Sequence, residues 1–358
     1  MEAAVADCTA TLRTALGRDW DTVNAGGLEW SCRATAFHIA QALATYAIRL
    51  AGRAQERLPL RFELPEDTDD AGLLSVIEAA GALLAAAVRT APPGARGFHP
   101  LPFGSADREG FAAMGVTEAL LHTHDIARGL GVPHEPDPEL AAAALPWLFP
   151  HVQPGPEPWP TLLWATGRGE LPGRAPVTEW TWYNNLVIPA GRVTLTGIRP
   201  AVADDLRLGG TGGLDWLEGG PHEGTRQACA SLMKAYEAGV HRPEFGVFAL
   251  VRPEDGRAVG GICFHGAPDE EGRVEIGYDL LEDARGSGCA TDAVRTLTEW
   301  ALARDDVDTV IATIEAGNLP SQRVAARAGF VRATVDEERT AREEYDMEGG
   351  FRLYVRRV

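Results

Sequence analysis

The sequence predicts two domains: a helical bundle followed by a domain of mixed strands and helices. Three observations carry this expectation. The 358-residue chain is too long for one ordinary core and suits two. Residues 1 to about 150 are rich in alanine and leucine at helical spacing. From Arg192 onward, alternating strand patterns interleave with amphipathic ones, as in an α+β or α/β domain. Hydrophobic residues make up 45% of the chain, so both parts can bury a core.

In the first half, helical spacing runs through residues 34–50, 71–88 and 111–130. Turn signals separate these stretches: Gly52, the Pro92-Pro93-Gly94 cluster, and Gly131 followed by Pro133. Residues 132–190 are dense in proline and tryptophan. They read as a closing helix with loops, then an extended strap that packs its tryptophans. The boundaries follow as a helical domain over 1–167, the strap over 168–190 and a second domain over 191–358. There, 192–196 alternates as a strand and 200–206 starts a helix. Residues 245–251 and 258–265 form a hairpin around Pro253-Glu254-Asp255-Gly256. A strand over 273–280, a helix over 290–302, a strand over 309–315, a helix over 321–328 and a closing strand over 351–356 complete the order. No internal repeat is evident.

The formal net charge of −18 repels nucleic acid and anionic membrane, but backbone amides can still hold a phosphate. The five scattered cysteines contain no CxxC, which argues for reduced thiols rather than a disulfide framework. The N-terminus lacks the basic start and apolar core of a signal peptide, and no uninterrupted apolar run reads as membrane-spanning. The expectation is a soluble cytoplasmic protein.

The sharpest local feature is Asp283-Ala284-Arg285-Gly286-Ser287-Gly288-Cys289-Ala290-Thr291, between a strand and an amphipathic helix. Ala290, Ala293, Val294, Leu297, Trp300 and Ala301 fall on one face of that helix. Two glycines let the backbone curl with its N–H groups inward. The helix N-terminus adds partial positive charge, making an anion cradle suited to a pyrophosphate. The alternative is a tight turn that simply needs glycine. In context, residues 191–358 resemble the GCN5-related N-acetyltransferases (GNATs), in particular the ribosomal-protein N-terminal acetyltransferase branch. The family's Arg/Gln-x-x-Gly-x-Gly/Ala motif is met by Arg285, Gly288 and Ala290. Glu275-Ile276-Gly277-Tyr278 matches its fourth strand. Asn318-Leu319-Pro320-Ser321 and Gly329-Phe330 match its closing motif, and Thr194 to Pro200 fits its start.

That resemblance implies an α/β GNAT fold with a mixed, splayed sheet and an acetyl-CoA-dependent transfer to a primary amine. The acceptor would be a small molecule or a protein N-terminus. Backbone amides of Arg285, Gly286, Ser287, Gly288, Cys289, Ala290 and Thr291 would hold the CoA pyrophosphate. Strands ending near Tyr278 and Glu315 would part to admit the pantetheine arm, which Asn318 would contact. Ser321 would sit near the thioester sulfur. Glu275 is the candidate general base through a water, with a solvated strand carboxylate as the alternative. Ala325 stands where many relatives carry a tyrosine that protonates the leaving thiolate. That task falls to Ser321, to water, or to a tyrosine from elsewhere such as Tyr345.

In the first half, Glu118 and His122 lie four residues apart on one helix face, and Asp125 extends it. His38 sits in another helix between Phe37 and Ile39. Two histidines and one carboxylate meeting in a core make a metal site with an open position, suited to zinc or a similar divalent ion. The alternative is a solvated Glu/His helix pair. The segments Trp30 to His38 and Glu118 to Gly131 resemble the mycothiol-dependent maleylpyruvate isomerase N-terminal family, relatives of the DinB four-helix bundles. The resemblance covers roughly residues 1–170. It implies a DinB-like four-helix bundle with His38, Glu118 and His122 as metal ligands, and Asp125 orienting one of them. It also implies a low-molecular-weight thiol as a possible partner. His124 is offset from that face.

Two further readings stand beside the acetyltransferase: a metal- and thiol-dependent transferase or isomerase in the first half, or one half as a non-catalytic ligand-binding module. The acceptor pocket falls in loops over residues 209–240, where Trp216, His222 and Glu223 carry no assigned role.

Overall fold

A computed structural model describes residues 1–100, 104–183, 186–344 and 350–358. Tyr345 lies outside the described residues. The chain divides into two units, Met1–Asn185 and Leu186–Val358.

The first unit is helical. It contains α1 (Glu2–Arg13), α2 (Cys32–Ala51), α3 (Asp70–Thr90), the short strands β1 (Arg96–Phe98) and β2 (Ser105–Asp107), α4 (Arg108–Leu130), α5 (Pro138–Leu148) and α6 (Pro158–Ala165). Side-chain oxygens set the helix starts: Ser31 accepts from the Ala34 amide, Asp69 from Gly72, and Asp107 from Gly110. Gly131, with φ of 68°, ends α4 in the left-handed conformation expected of a terminal glycine. α2 packs on α3 and α4, and α1 packs on the same two. Trp20, Leu43, Leu73, Leu74, Ile77, Leu84 and Phe111 are among its fully buried side chains.

By length and composition α3 is apolar enough to cross a membrane, though Glu78 interrupts its apolar run. Here Leu73, Leu74, Ile77 and Leu84 are fully buried in the unit's core. Each such side chain contributes about 1.5–3 kcal/mol on burial.

The second unit holds β3 (Val187–Ala190), β4 (Val193–Gly197), α7 (Pro200–Arg207), α8 (Glu223–Glu237), β5 (Val247–Val251), β6 (Ala258–Phe264), β7 (Arg273–Leu280), α9 (Cys289–Leu302), β8 (Thr309–Glu315), α10 (Leu319–Arg327), β9 (Val331–Arg332), α11 (Val335–Glu344) and β10 (Phe351–Arg357). Its sheet runs β3-β4-β5-β6-β7-β8-β10-β9. All neighbours are antiparallel except β7 and β8.

The parallel junction shapes the site. β7 and β8 pair only at Arg273↔Thr309, Val274↔Val310 and Glu275↔Ile311. Beyond these, β7 stays on β6 as far as Leu280↔Gly260, while β8 stays on β10 as far as Glu315↔Phe351. The sheet is therefore mixed and opens into a wedge.

The strap expected over 168–190 is not a separate body. Its N-terminal part falls in the first unit, and Val187–Ala190 becomes an edge strand of the second. Residues 209–240, expected as loops, contain the four-turn helix α8.

Candidate active site and candidate metal centre

The glycine-rich turn sits at the mouth of the wedge. Gly286 and Gly288 have φ of 75° and 92°, and Gly288 leads directly into α9. The first-turn amides of a helix have no intrahelical acceptor. Gly286, Ser287, Gly288, Ala290 and Thr291 all line a cleft of about 740 Å³. Cys289 does not; its side chain is buried at the base of α9. The Ser287 hydroxyl is turned inward, donating to the Ala284 carbonyl at 2.6 Å.

Arg192, Arg285, Arg323 and Arg327 also line this cleft. In a chain of net charge −18 they form a local cationic rim. Asp292 holds Arg192 at 2.6 Å, which keeps its guanidinium against Gly288. Arg323 and Arg327 are four residues apart on α10 and so share a face. That spacing was the available signal for them, and only Arg285 was anticipated.

Asn318 caps α10: its side-chain oxygen accepts from the Ser321 amide at 3.1 Å. The side-chain NH₂ is left for the cleft. The Tyr278 hydroxyl reaches across from β7 to Ser321, 2.8 Å from Oγ and 3.0 Å from the backbone carbonyl. Burial raises Tyr278 to about 12, against the opposing hydrogen bond from Ser321. Ala325, buried on α10, has no hydroxyl. Tyr278, expected to contact the cofactor, is a residue that brings a hydroxyl to the cleft.

Glu275 lies elsewhere. It sits at the last β7–β8 pair and outside the residues lining the cleft. Its carboxylate is 3.2 Å from Nδ1 of His265. Despite burial, that partner holds Glu275 below the usual carboxylate range. Glu275, expected to act as a base through a water, thus faces His265 rather than the cleft. His265, by contrast, lines a second cavity of about 660 Å³.

In the first unit, α2 and α4 bring the three expected ligands together. Ligand atoms of His38, Glu118 and His122 lie within 4.8 Å of one another. Glu118 Oε2 is 3.2 Å from His122 Nε2 and 3.4 Å from His38 Nε2. Tyr46 donates to its other oxygen at 2.8 Å. On the far side of His122, Nδ1 is 3.2 Å from Asp125, which Arg168 grips at 2.9 Å. Glu118 is buried, but hydrogen bonds from His122 and then His38 hold it well below the carboxylate range. Burial opposes charge on His122, yet Asp125 and Glu118 raise it to about 9. Tyr46 and Arg168 were not anticipated, since both come from outside the Glu-x-x-x-His-x-x-Asp segment. His124 packs edge-on to Trp159, off the cluster.

Residues 192–331 match the family described as "Acetyltransferase (GNAT) domain". The chain is 36% identical over 87 residues to an uncharacterized N-acetyltransferase, YjdG, of Bacillus subtilis (strain 168), covering 24% of this chain and 52% of that protein. It is 30% identical over 83 residues to the uncharacterized N-acetyltransferase p20 of Bacillus licheniformis, covering 23% and 47%. The chain thus spans about half the length of these curated relatives. A solved structure of RimL, a ribosomal L7/L12 alpha-N-protein acetyltransferase with coenzyme A, is 17% identical with a TM-score of 0.35, covering 48% of this chain and 98% of that one. The C-terminal unit carries an acetyltransferase domain of the GNAT family, a family of acyltransferase enzymes.

Proposed function

We propose that the C-terminal unit transfers an acetyl group from acetyl-CoA to a primary amine of a small molecule or protein N-terminus. The observation that carries this reading is the cleft between the parted strands, with a glycine cradle at one side and four arginines on its rim. Amides of Gly286 to Thr291 would hold the pyrophosphate, the arginines would meet the phosphates, and Asn318 would offer its NH₂ to the pantetheine arm. Acetyl-CoA supplies a thioester carbon open to attack. A neutral amine forms the new C–N bond, the C–S bond breaks, and the thiolate takes a proton. Tyr278, kept protonated by burial and linked to Ser321, would give that last proton.

Titrating the full chain with acetyl-CoA in a calorimeter is expected to give saturable binding within about 1 μM–1 mM, the range of ordinary enzyme substrates. Absence of heat and of any thermal shift would overturn the reading.

The clustering of His38, Glu118 and His122 favours a second reading, that the N-terminal unit holds a divalent ion such as zinc. The donor set fits. Two imidazole Nε2 atoms and one carboxylate converge, and Asp125 fixes His122 through its other nitrogen. Three protein ligands leave a position for a thiol, which a bound metal would help deprotonate. His38 is 34% exposed, so that side is open to solvent. Replacing His38 by alanine is expected to drop zinc content from near one ion per chain to near none by mass spectrometry of metals. Equal content in both proteins would remove the reading.

A further inference from the structure

The second cavity adjoins the cleft at three shared residues, His222, Tyr278 and Asp279. Consecutive residues of β7 point to opposite faces of the sheet. Tyr278 turns to Ser321 on α10, and Asp279 turns to α8. Asp279 therefore stands where anything in the second cavity would meet anything in the wedge.

Its surroundings set it apart from the other buried acids. Glu118 has two histidines, Asp125 has Arg168, and Glu244 has Arg242. The side chain of Asp279 is only 13% exposed. It accepts from Thr225 Oγ1 at 2.9 and 3.0 Å and from the Gly261 amide at 3.2 Å. Its one ion-pair neighbour among the described residues is His222 Nδ1, at 3.8 Å. That nitrogen is already an acceptor, taking the Gly224 amide at 3.1 Å as the cap of α8. It has no proton to offer Asp279 in that arrangement. A buried carboxylate satisfied by neutral donors and facing a cavity is a receptor for a cation.

The rest of the cavity limits what that cation is. Among its lining residues Asp279 is the one carboxylate, and Leu232, Phe245, Val247, Ile262 and Phe264 give it apolar walls. Arg242 is held by Glu244 and Asp306, each at 2.8 Å. His265 also lines it, with Nδ1 3.2 Å from the Glu275 carboxylate. One lining carboxylate can pair with one ammonium and leaves none for a second.

We propose that Asp279 binds the ammonium group of the acetyl acceptor and takes its proton, and that the acceptor is a small monoamine with an apolar or aromatic body. This rests on the acetyltransferase reading above. One ammonium proton passes to Asp279 and on to water past the half-exposed His222. The freed lone pair forms the C–N bond as the C–S bond breaks. The amide nitrogen loses a second proton to solvent, balancing the one that Tyr278 gives to the thiolate. Burial is the largest influence on Asp279 and raises its affinity for a proton, as a receiving group requires.

The test follows acetyl transfer by the full chain to phenethylamine, spermidine and an alanine-led tripeptide, with acetyl-CoA affinity measured alongside. Phenethylamine is expected to give the highest kcat/KM. Asp279→Asn is expected to lower it about 100-fold at pH 7.5 with acetyl-CoA affinity unchanged. Asp279→Glu should recover part of the loss. The Asn variant should also regain rate toward pH 10, where the amine sheds its proton unaided. A merely structural role would produce no such recovery. Preference for spermidine or the tripeptide, no transfer to phenethylamine while acetyl-CoA still binds, or an Asn variant equal to the wild type would overturn the proposal. A chain that binds no acetyl-CoA removes the acetyltransferase reading, and this inference with it.

Discussion

Gly288→Val is expected to weaken acetyl-CoA binding about 100-fold or more in a calorimetric titration. Gly288 sits at φ of 92°, a conformation that costs a side-chain-bearing residue about 1–3 kcal/mol and a β-branched one the most. A Cβ there would stand 3.1 Å from the exposed Arg192 guanidinium, which can give way, so the backbone strain carries the effect. The relaxed alternative rotates the amides at the start of α9 away from the cleft. At about 1.4 kcal/mol per tenfold, the upper end of that strain reaches two decades. Gly286→Ala is the internal comparison. Its φ of 75° is also left-handed, but a Cβ there meets nothing within 4 Å. It is expected to lose about tenfold, by the strain alone. Unchanged affinity in the valine variant would show that this bend does not hold the phosphates.

Tyr278→Phe is expected to lower kcat for amine acetylation about 100-fold, within the range for loss of a general acid, while the KM for acetyl-CoA barely moves. The ring stays and only the hydroxyl bonded to Ser321 goes. Ser321→Ala should cost far less, because it removes the neighbour and leaves the donor. The pH dependence has a definite sign. Tyr278 is raised to about 12, so it stays almost wholly protonated up to about pH 10. No loss of rate on the basic side up to about pH 10 should trace to this group. A Phe variant with wild-type kcat would return the protonation step to Ser321 or water.

The parts legible in the sequence are those whose chemistry is local. β7 and β8 have the bounds their alternation gave, and the glycine turn leads into α9 as its spacing implied. The meeting of His38 with Glu118 and His122 was expected from the family resemblance, whereas spacing alone left a solvated Glu/His helix pair open. The missed parts depend on distant packing. α8 buries Thr225, Cys229, Leu232 and Met233 at helical intervals, but flanking glycines and Pro221 made the region read as loop. Once α8 is absent from the reading, Asp279 is one more polar residue in a strand. Its significance comes from Thr225 and His222, which lie more than fifty residues earlier and reach it only through the fold. Glu275 shows the converse. Its place in a familiar motif suggested chemistry, yet its bond to His265 makes it a partner of the neighbouring strand's cavity side.

The edge strand β3 bears on where this polypeptide can be cut. A break at residue 191, where composition changes, would strip Val187–Ala190 from the ladder and leave β4 with a bare row of donors and acceptors. Such a flank recruits strands from other molecules. The tether between the halves thus doubles as a hem, and its stitches begin at Leu186, whose carbonyl already holds the Gly197 amide at 2.7 Å.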